Sequence, residues 1–238
     1  MVQLTANQPY LTMRIRFKKI GNLQYISHLD LVRTMQKIIV RAGLPLWYTE
    51  GFNPKPKMVF AAPLSIGTES MCEYMDIRLV EDMAPEEVKE RLNRNMTAEM
   101  QVLDAYYTTE KLTELKWLSY SIEIKTGGAS AELASRCEQV LSAPSVVVEK
   151  KGKPGEEVKT QDIAPLIKSA SVEYKDELLS IDCILSADAS SFLNPEYVVK
   201  ALKGALGILS DPVITNEYYS IMRLVGYRED MSDFSEHR

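Results

Sequence analysis

The sequence predicts an α+β protein made of two ferredoxin-like (βαββαβ) halves in tandem, one over residues 11–109 and one over residues 110–228, with tails at 1–10 and 229–238. Three observations predict it. The order strand-helix-strand-strand-helix-strand can be read once in each half, capping residues and prolines mark the helix starts, and the halves join near Thr108 to Leu115.

In the first half, Met13, Ile15 and Phe17 alternate with Arg14, Arg16 and Lys18. That is the period-two pattern of a strand with one buried face, and its other face is cationic. Ser27 is a helix N-cap and Asp30, three residues on, can complete a capping box. Leu31, Met35, Ile38 and Ala42 then recur at helical spacing until Gly43 and Pro45 end the helix. Leu46 to Thr49 and Glu73 to Val80 read as strands on either side of a Pro- and Gly-rich excursion. Pro85-Glu86-Glu87 opens a second helix running to about Met96, with acids in the first turn where the helix dipole favours them. Gln101 to Tyr107 supplies the fourth strand.

The second half repeats the rhythm without obvious identity. Trp117 to Lys125 is strand-like, Ala129 to Leu141 helical, and Ser145 to Glu149 a short β-branched strand. Lys150 to Lys159 has the composition of a turn or mobile loop. Val172 to Tyr174 and Leu178 to Leu185 can form a hairpin around Lys175-Asp176-Glu177. Asn194 caps a helix with Pro195 at its first position, reaching Gly207, and Tyr218 to Tyr227 closes the set.

At 238 residues, 45% hydrophobic and 26% charged, the chain can bury a core without staples. Cys72, Cys137 and Cys183 lie too far apart for a disulfide framework or a zinc knuckle and read as reduced thiols. No apolar run is long enough for a bilayer and the first residues lack a signal-peptide pattern, so a cytoplasmic protein without membrane contact is expected. The net charge of −5 hides a division. Between Tyr10 and Phe60 nine Lys or Arg face two acids, a balance of +7, so the remainder carries −12. A basic field confined to one part of an acidic chain suggests a polyanionic partner on one surface.

Two phrases stand out within that field. In a split βαβ unit both helices cover one sheet face, so Arg14, Arg16 and Lys18 would point to the open face, as on single-stranded RNA platforms; a solvated edge strand explains them equally well. Arg33, Lys37 and Arg41 form one helical stripe. His28, just inside a helix start, can act as a general base or as an anion donor, although Ser27-His28-Leu29-Asp30 also reads as a simple cap. The loop from Gly51 to Lys57 offers Phe52, Asn53, Lys55 and Lys57 on a backbone stiffened by two X-Pro steps. Phe52 either stacks on a base or plugs the core. There is no GxxxxGK[ST], no GxGxxG after a strand, no HExxH and no closely spaced Cys triplet, so no metal or cofactor of its own is expected.

Tyr25-Ile26-Ser27-His28-Leu29-Asp30-Leu31, Arg41-Ala42-Gly43-Leu44-Pro45, Glu50-Gly51-Phe52-Asn53-Pro54 and Glu73-Tyr74-Met75-Asp76 together resemble the radical SAM-linked protein family, the domain of unknown function 2344. Asp162-Ile163-Ala164-Pro165 and Asn194-Pro195-Glu196 extend the resemblance more weakly into the second half. The chain departs from the family pattern where Lys55 replaces a histidine and Ala164 an arginine, and the first exchange removes an acid-base partner for His28. The resemblance implies a non-catalytic companion of a radical SAM protein encoded nearby, the partner carrying the iron-sulfur cluster and S-adenosylmethionine. The companion would bind and present an RNA or ribonucleoprotein substrate. In that role Arg14, Arg16, Arg33, Lys37, Arg41, Lys55 and Lys57 would hold phosphates, Phe52 would stack, and His28, Asp30 and Asn53 would shape the site. Two alternatives stay open. One is a metal-independent endoribonuclease of RAMP-like fold, resembling the repeat-associated CRISPR processing proteins, that uses His28; the other is a protein-protein adaptor for the radical SAM subunit.

Overall fold

A computed structural model describes residues 10–150, 159–210 and 216–236. Contacts divide the chain into two compact units, residues 1–115 with 226–238, and residues 116–225. In the first unit, β1 (Leu11–Lys19) buries alternate residues, as its period-two sequence requires. α1 (His28–Arg41), β2 (Met58–Phe60), β3 (Thr68–Leu79), α2 (Pro85–Asn93) and β4 (Met100–Tyr107) follow. The strands run β4-β1-β3-β2 and every neighbouring pair is antiparallel. This is a ferredoxin-like split βαβ unit. Met13, Ile15, Phe17, Met75 and Ile77 meet Leu31, Met35 and Ile39 of α1 and Val88 and Leu92 of α2 in one core. Each such side chain contributes about 1.5–3 kcal/mol on burial.

The boundaries follow local chemistry. The Ser27 hydroxyl oxygen accepts the Asp30 N–H at 3.1 Å, and the Ser27 hydroxyl donates to Asp30 Oδ2 at 2.6 Å. The expected capping box is thus closed between side chains. Gly43 takes the left-handed φ of 63° that ends α1. Leu46 to Thr49 makes only the isolated bridges Leu46↔Leu79 and Tyr48↔Pro56, and the second strand lies inside the excursion, at Met58–Phe60. Pro54 and Pro56 have no N–H to give a ladder, so beyond the single Tyr48↔Pro56 bridge the continuous ladder begins after them, at Met58. α2 stops at Asn93, earlier than its periodicity suggests. The Asn93 amide leaves the helix surface to bond the Val102 backbone in both directions, and the Asn95 amide donates to the Arg91 carbonyl at 2.9 Å.

The second unit contains β5 (Trp117–Lys125), α3 (Ala131–Leu141), β6 (Val147–Lys150), β7 (Lys159–Asp162), β8 (Ile167–Lys175), β9 (Leu178–Ser186), α4 (Glu196–Leu206) and most of β10 (Tyr218–Tyr227). Its strand order β10-β5-β9-β8 repeats that of the first unit. β6, read from sequence as the short strand Ser145 to Glu149, pairs with β7 in a separate antiparallel ribbon between α3 and β8, and that partner strand the sequence reading did not anticipate. Of the segment read as a turn or mobile loop, residues 151–158 lie outside the described residues. The hairpin around Lys175 forms, with Asp176 at φ 52° and Glu177 at φ 65° as its two central residues. The Asn194 side chain accepts the Glu196 N–H at 3.1 Å ahead of α4. All three cysteines are buried free thiols, and burial pushes the Cys183 thiol up to about 12. No helix among the described residues is long and apolar enough to cross a membrane.

Candidate functional site

The helix-free face of β1 is not open at Arg14. Its guanidinium donates to both Asp76 oxygens (Nε to Oδ1 2.8 Å, Nη2 to Oδ2 3.0 Å) and to Glu110. The Arg14 side chain is 0% exposed. Arg228 grips the other side of Glu110, with Nε 2.6 Å from Oε1. The ring of Phe234 lies between them, 4.7 Å from Arg14 Cζ and 5.3 Å from Arg228 Cζ, and edge-on to Tyr74 at 5.0 Å. Arg14 therefore cannot be a phosphate contact as the strand stands: the segment after β10 covers it and acids occupy its donors. Burial raises the Asp76 carboxyl above its usual range, outweighing the opposite pull of Arg14. Arg16 and Lys18 are half-buried on the same face, and Arg16 keeps a buried Nε with no hydrogen bond.

The remaining candidates lie on α1 and on the loop before β2. His28 is exposed at the start of α1 and meets the Phe60 ring edge-on at 5.4 Å, while Phe60 meets Phe17 at 6.3 Å. The imidazole is thereby anchored to the core on one side. Among the described residues it has no acid to orient it, as a general base would require. Asp30 is spent on Ser27 and on Arg33, 3.5 Å away. Arg33, Lys37 and Arg41 are exposed along one face of α1. Arg41 also borders a groove of about 480 Å³ with Glu87 and Glu90 of α2, so acids enter the far end of the stripe.

The loop before β2 is braced. The Thr49 N–H donates to the Lys55 carbonyl at 2.9 Å, the Lys55 N–H to Thr49 Oγ1 at 3.0 Å, and the Lys57 N–H to the Trp47 carbonyl at 2.9 Å. Gly51 at φ 116° makes the turn that few side chains tolerate. Outside this clamp Phe52 stands 111% exposed, and Asn53 and Lys55 are exposed beside it. Phe52 does not plug the core. Lys57 is the exception among the loop cations: its Nζ lies 4.6 Å over Trp47, which stacks on Tyr10 at 4.5 Å with Arg78 beyond. Lys57 therefore braces the loop base. The loop leads into β2, whose Phe60 touches His28, but its base lies at Trp47 beside Tyr10 and Arg78, where β1 begins, whereas His28 and Phe60 lie by Phe17 towards the other end of β1. Sequence reasoning missed Trp47, Phe60 and Tyr25. The first two flank the loop as large aromatics, a signal its prolines obscured.

The fold and site define a duplicated ferredoxin-like α+β protein that offers a braced, exposed aromatic tip beside Lys55. The chain belongs to the family described as an uncharacterized protein conserved in bacteria, DUF2344, whose model matches residues 12–195. No curated protein matches it. Among solved structures it is similar to a chain of "Crystal Structure of a Cbf5-Nop10-Gar1 Complex", at TM-score 0.51 and 11% identity, covering 92% of this chain. This chain spans about half the length of that one, 50%. A second, an unknown protein from Galdieria sulphuraria, is 9% identical at TM-score 0.27, covering 91% of this chain and 99% of the other. The first likeness bears on the fold alone. Among the described residues no His, Cys, Asp and Glu group could hold a metal ion.

Proposed function

We propose that this chain is a non-catalytic companion that binds an unpaired stretch of RNA, free or in a ribonucleoprotein, and presents it to a radical SAM enzyme. The observation that carries the reading is Phe52, fully exposed on a loop held by two backbone hydrogen bonds and one from the Lys55 N–H to the Thr49 hydroxyl, and flanked by Lys55. A large aromatic left in water on a rigid tip costs little entropy when it stacks, and every nucleobase offers a face to it. Arg33 and Lys37 supply further charge along α1, and Arg16 and Lys18 carry charge on the opposite, helix-free face of the sheet. The partner, by the family resemblance, would supply the cluster and S-adenosylmethionine chemistry. The unoriented His28 counts against the endoribonuclease reading. A specific observation favours the adaptor reading as a second one: Tyr25, Leu29 and Ile66 are 65%, 56% and 59% exposed around the start of α1, an apolar set suited to a protein surface.

The two readings separate in one experiment. Fluorescence anisotropy with a single-stranded RNA oligonucleotide compares the parent chain with Phe52→Ala and Leu29→Ser. If RNA is the ligand, Phe52→Ala weakens binding by about 1–3 kcal/mol and Leu29→Ser leaves it unchanged. Absence of RNA binding, with Leu29→Ser abolishing co-purification of the enzyme, would overturn it in favour of the adaptor.

A further inference from the structure

The helix-free face of the first unit contains a slot the size of one planar ring, and Phe234 fills it completely. Guanidiniums at 4.7 Å and 5.3 Å and the edge of Tyr74 at 5.0 Å form its walls. The Tyr106 hydroxyl donates to the Phe234 carbonyl at 3.5 Å. Such walls suit any flat π-system, because a guanidinium stacks on nucleobases as it does on phenyl rings. Beside the slot, Arg16 lies opposite Tyr74 in the β1-β3 register and holds its buried, unbonded Nε. A donor left without an acceptor in a covered place is costly, and an anion would satisfy it.

The segment over the slot has a matching character. Glu229, Asp230, Asp233 and Glu236 give it four acids against the single cation Arg228, and it lies on the face bearing Arg14, Arg16 and Lys18. It is folded largely on itself: the Phe234 N–H donates to the Gly226 carbonyl at 2.8 Å, and Arg228 donates to the carbonyls of Asp233 and Glu236 at 2.5 Å and 2.9 Å. Its β pairing is one isolated bridge, Tyr227↔Asp233. An acidic segment presenting one aromatic ring to a cationic sheet copies the two recognisable features of a single-stranded nucleic acid.

We infer that the segment after β10, residues 228–236, is an autoinhibitory strap anchored at Arg228, and that the slot beneath Phe234 receives an unpaired nucleobase of single-stranded RNA, with a neighbouring phosphate on Arg16. The inference rests on the RNA-binding reading above. It adds a second, covered subsite on the sheet face to the exposed one at Phe52, and binding at the first raises the local concentration of RNA at the second.

The test compares the full chain with a chain ended after Asp230, which keeps Arg228 on Glu110. Anisotropy is measured with a single-stranded RNA oligonucleotide and, separately, with a labelled synthetic peptide of residues 226–236. The strap reading expects the shortened chain to bind the peptide and to bind RNA about tenfold tighter than the full chain, with unlabelled peptide reversing the gain. A shortened chain that binds the peptide but takes RNA at the full chain's affinity overturns the strap and leaves the Phe52 site standing. RNA binding by neither chain overturns both readings. Should the shortened chain lose its cooperative melting transition, Phe234→Leu keeps an apolar filler while removing the ring held between guanidiniums. A threefold or larger gain in RNA affinity is then expected, and an unchanged affinity overturns the inference.

Discussion

Replacing Arg14 with methionine probes the buried ion network most sharply. In the folded chain Arg14 satisfies both Asp76 oxygens, one Glu110 oxygen and the Glu110 carbonyl (2.6 Å). Arg14→Met leaves Asp76 buried without its cation, and losing one partner of a buried pair costs about 3–5 kcal/mol. That is a large part of the roughly 5–15 kcal/mol that holds an ordinary domain. Glu110 keeps Arg228, so the damage should centre on Asp76. The double variant Arg14→Met/Asp76→Leu removes both charges and should recover most of the loss, because isosteric apolar replacement of a buried pair is often neutral. The pH dependence has a defined sign. Burial already raises Asp76 above its usual range with Arg14 present, and without Arg14 it rises further. A carboxyl with a raised folded-state pKa binds more protons folded than unfolded, so the variant gains stability relative to the parent as pH falls through that raised value towards about 4, the unfolded value. Urea unfolding at pH 7 and pH 5 measures both effects. A loss below about 1 kcal/mol at pH 7, a difference unchanged between the two pH values, or a double variant no better than the single would refute the reasoning.

Three further outcomes follow from local structure. Ser27→Ala removes the acceptor for the Asp30 N–H and should cost about 1 kcal/mol in urea unfolding, whereas Ser27→Thr, which keeps both the acceptor and the hydroxyl that donates to Asp30, should keep most of it. Asp176 and Glu177 both stand at positive φ in the β8-β9 turn, so Asp176→Asn with Glu177→Gly should stabilise the chain by roughly 0.5–1 kcal/mol, read as a higher melting temperature. Cys72, Cys137 and Cys183 are buried, and the Cys183 thiol is pushed up to about 12. A thiol reagent at pH 8 should therefore label none of them until denaturant unfolds the chain; rapid labelling of the native chain would contradict the packing.

Most of the fold was legible because its signals are local. Trp117–Lys125 and Tyr218–Tyr227 emerge with the bounds their alternation gave; Ser27 and Asn194 mark helix starts by accepting a backbone N–H within three residues, and Pro85 marks one as the first helical residue. The errors lie where a distant partner decides. Leu46 to Thr49 has strand composition but finds only single bridges, and Thr68 to Cys72 joins β3 because it lies against β1, not through any strong alternation of its own. For the site, the α1 stripe was readable, but neither the side on which Phe52 stands, core or solvent, nor the fate of β1's cations was. Arg14 and Arg16 alternate identically in sequence, and only the acids Asp76 and Glu110 with Phe234, the last 220 residues away, separate a structural arginine from an available one. Lys19 likewise turns inward to the Leu23 carbonyl at 2.9 Å.

The central claim, that Phe52 and Lys55 with the cations of α1 hold single-stranded RNA, is tested most directly by the salt dependence of that binding. Anisotropy with a single-stranded oligonucleotide between 50 and 200 mM salt, roughly the range over which counterion release is readily resolved, should give an affinity that falls with a log-log slope of about −0.7 for each phosphate engaged. With Arg33, Lys37 and Lys55 engaged, the slope is about −2, and Lys55→Gln should make it shallower by about 0.7. A salt-independent affinity, or a slope unchanged by Lys55→Gln, would contradict the account.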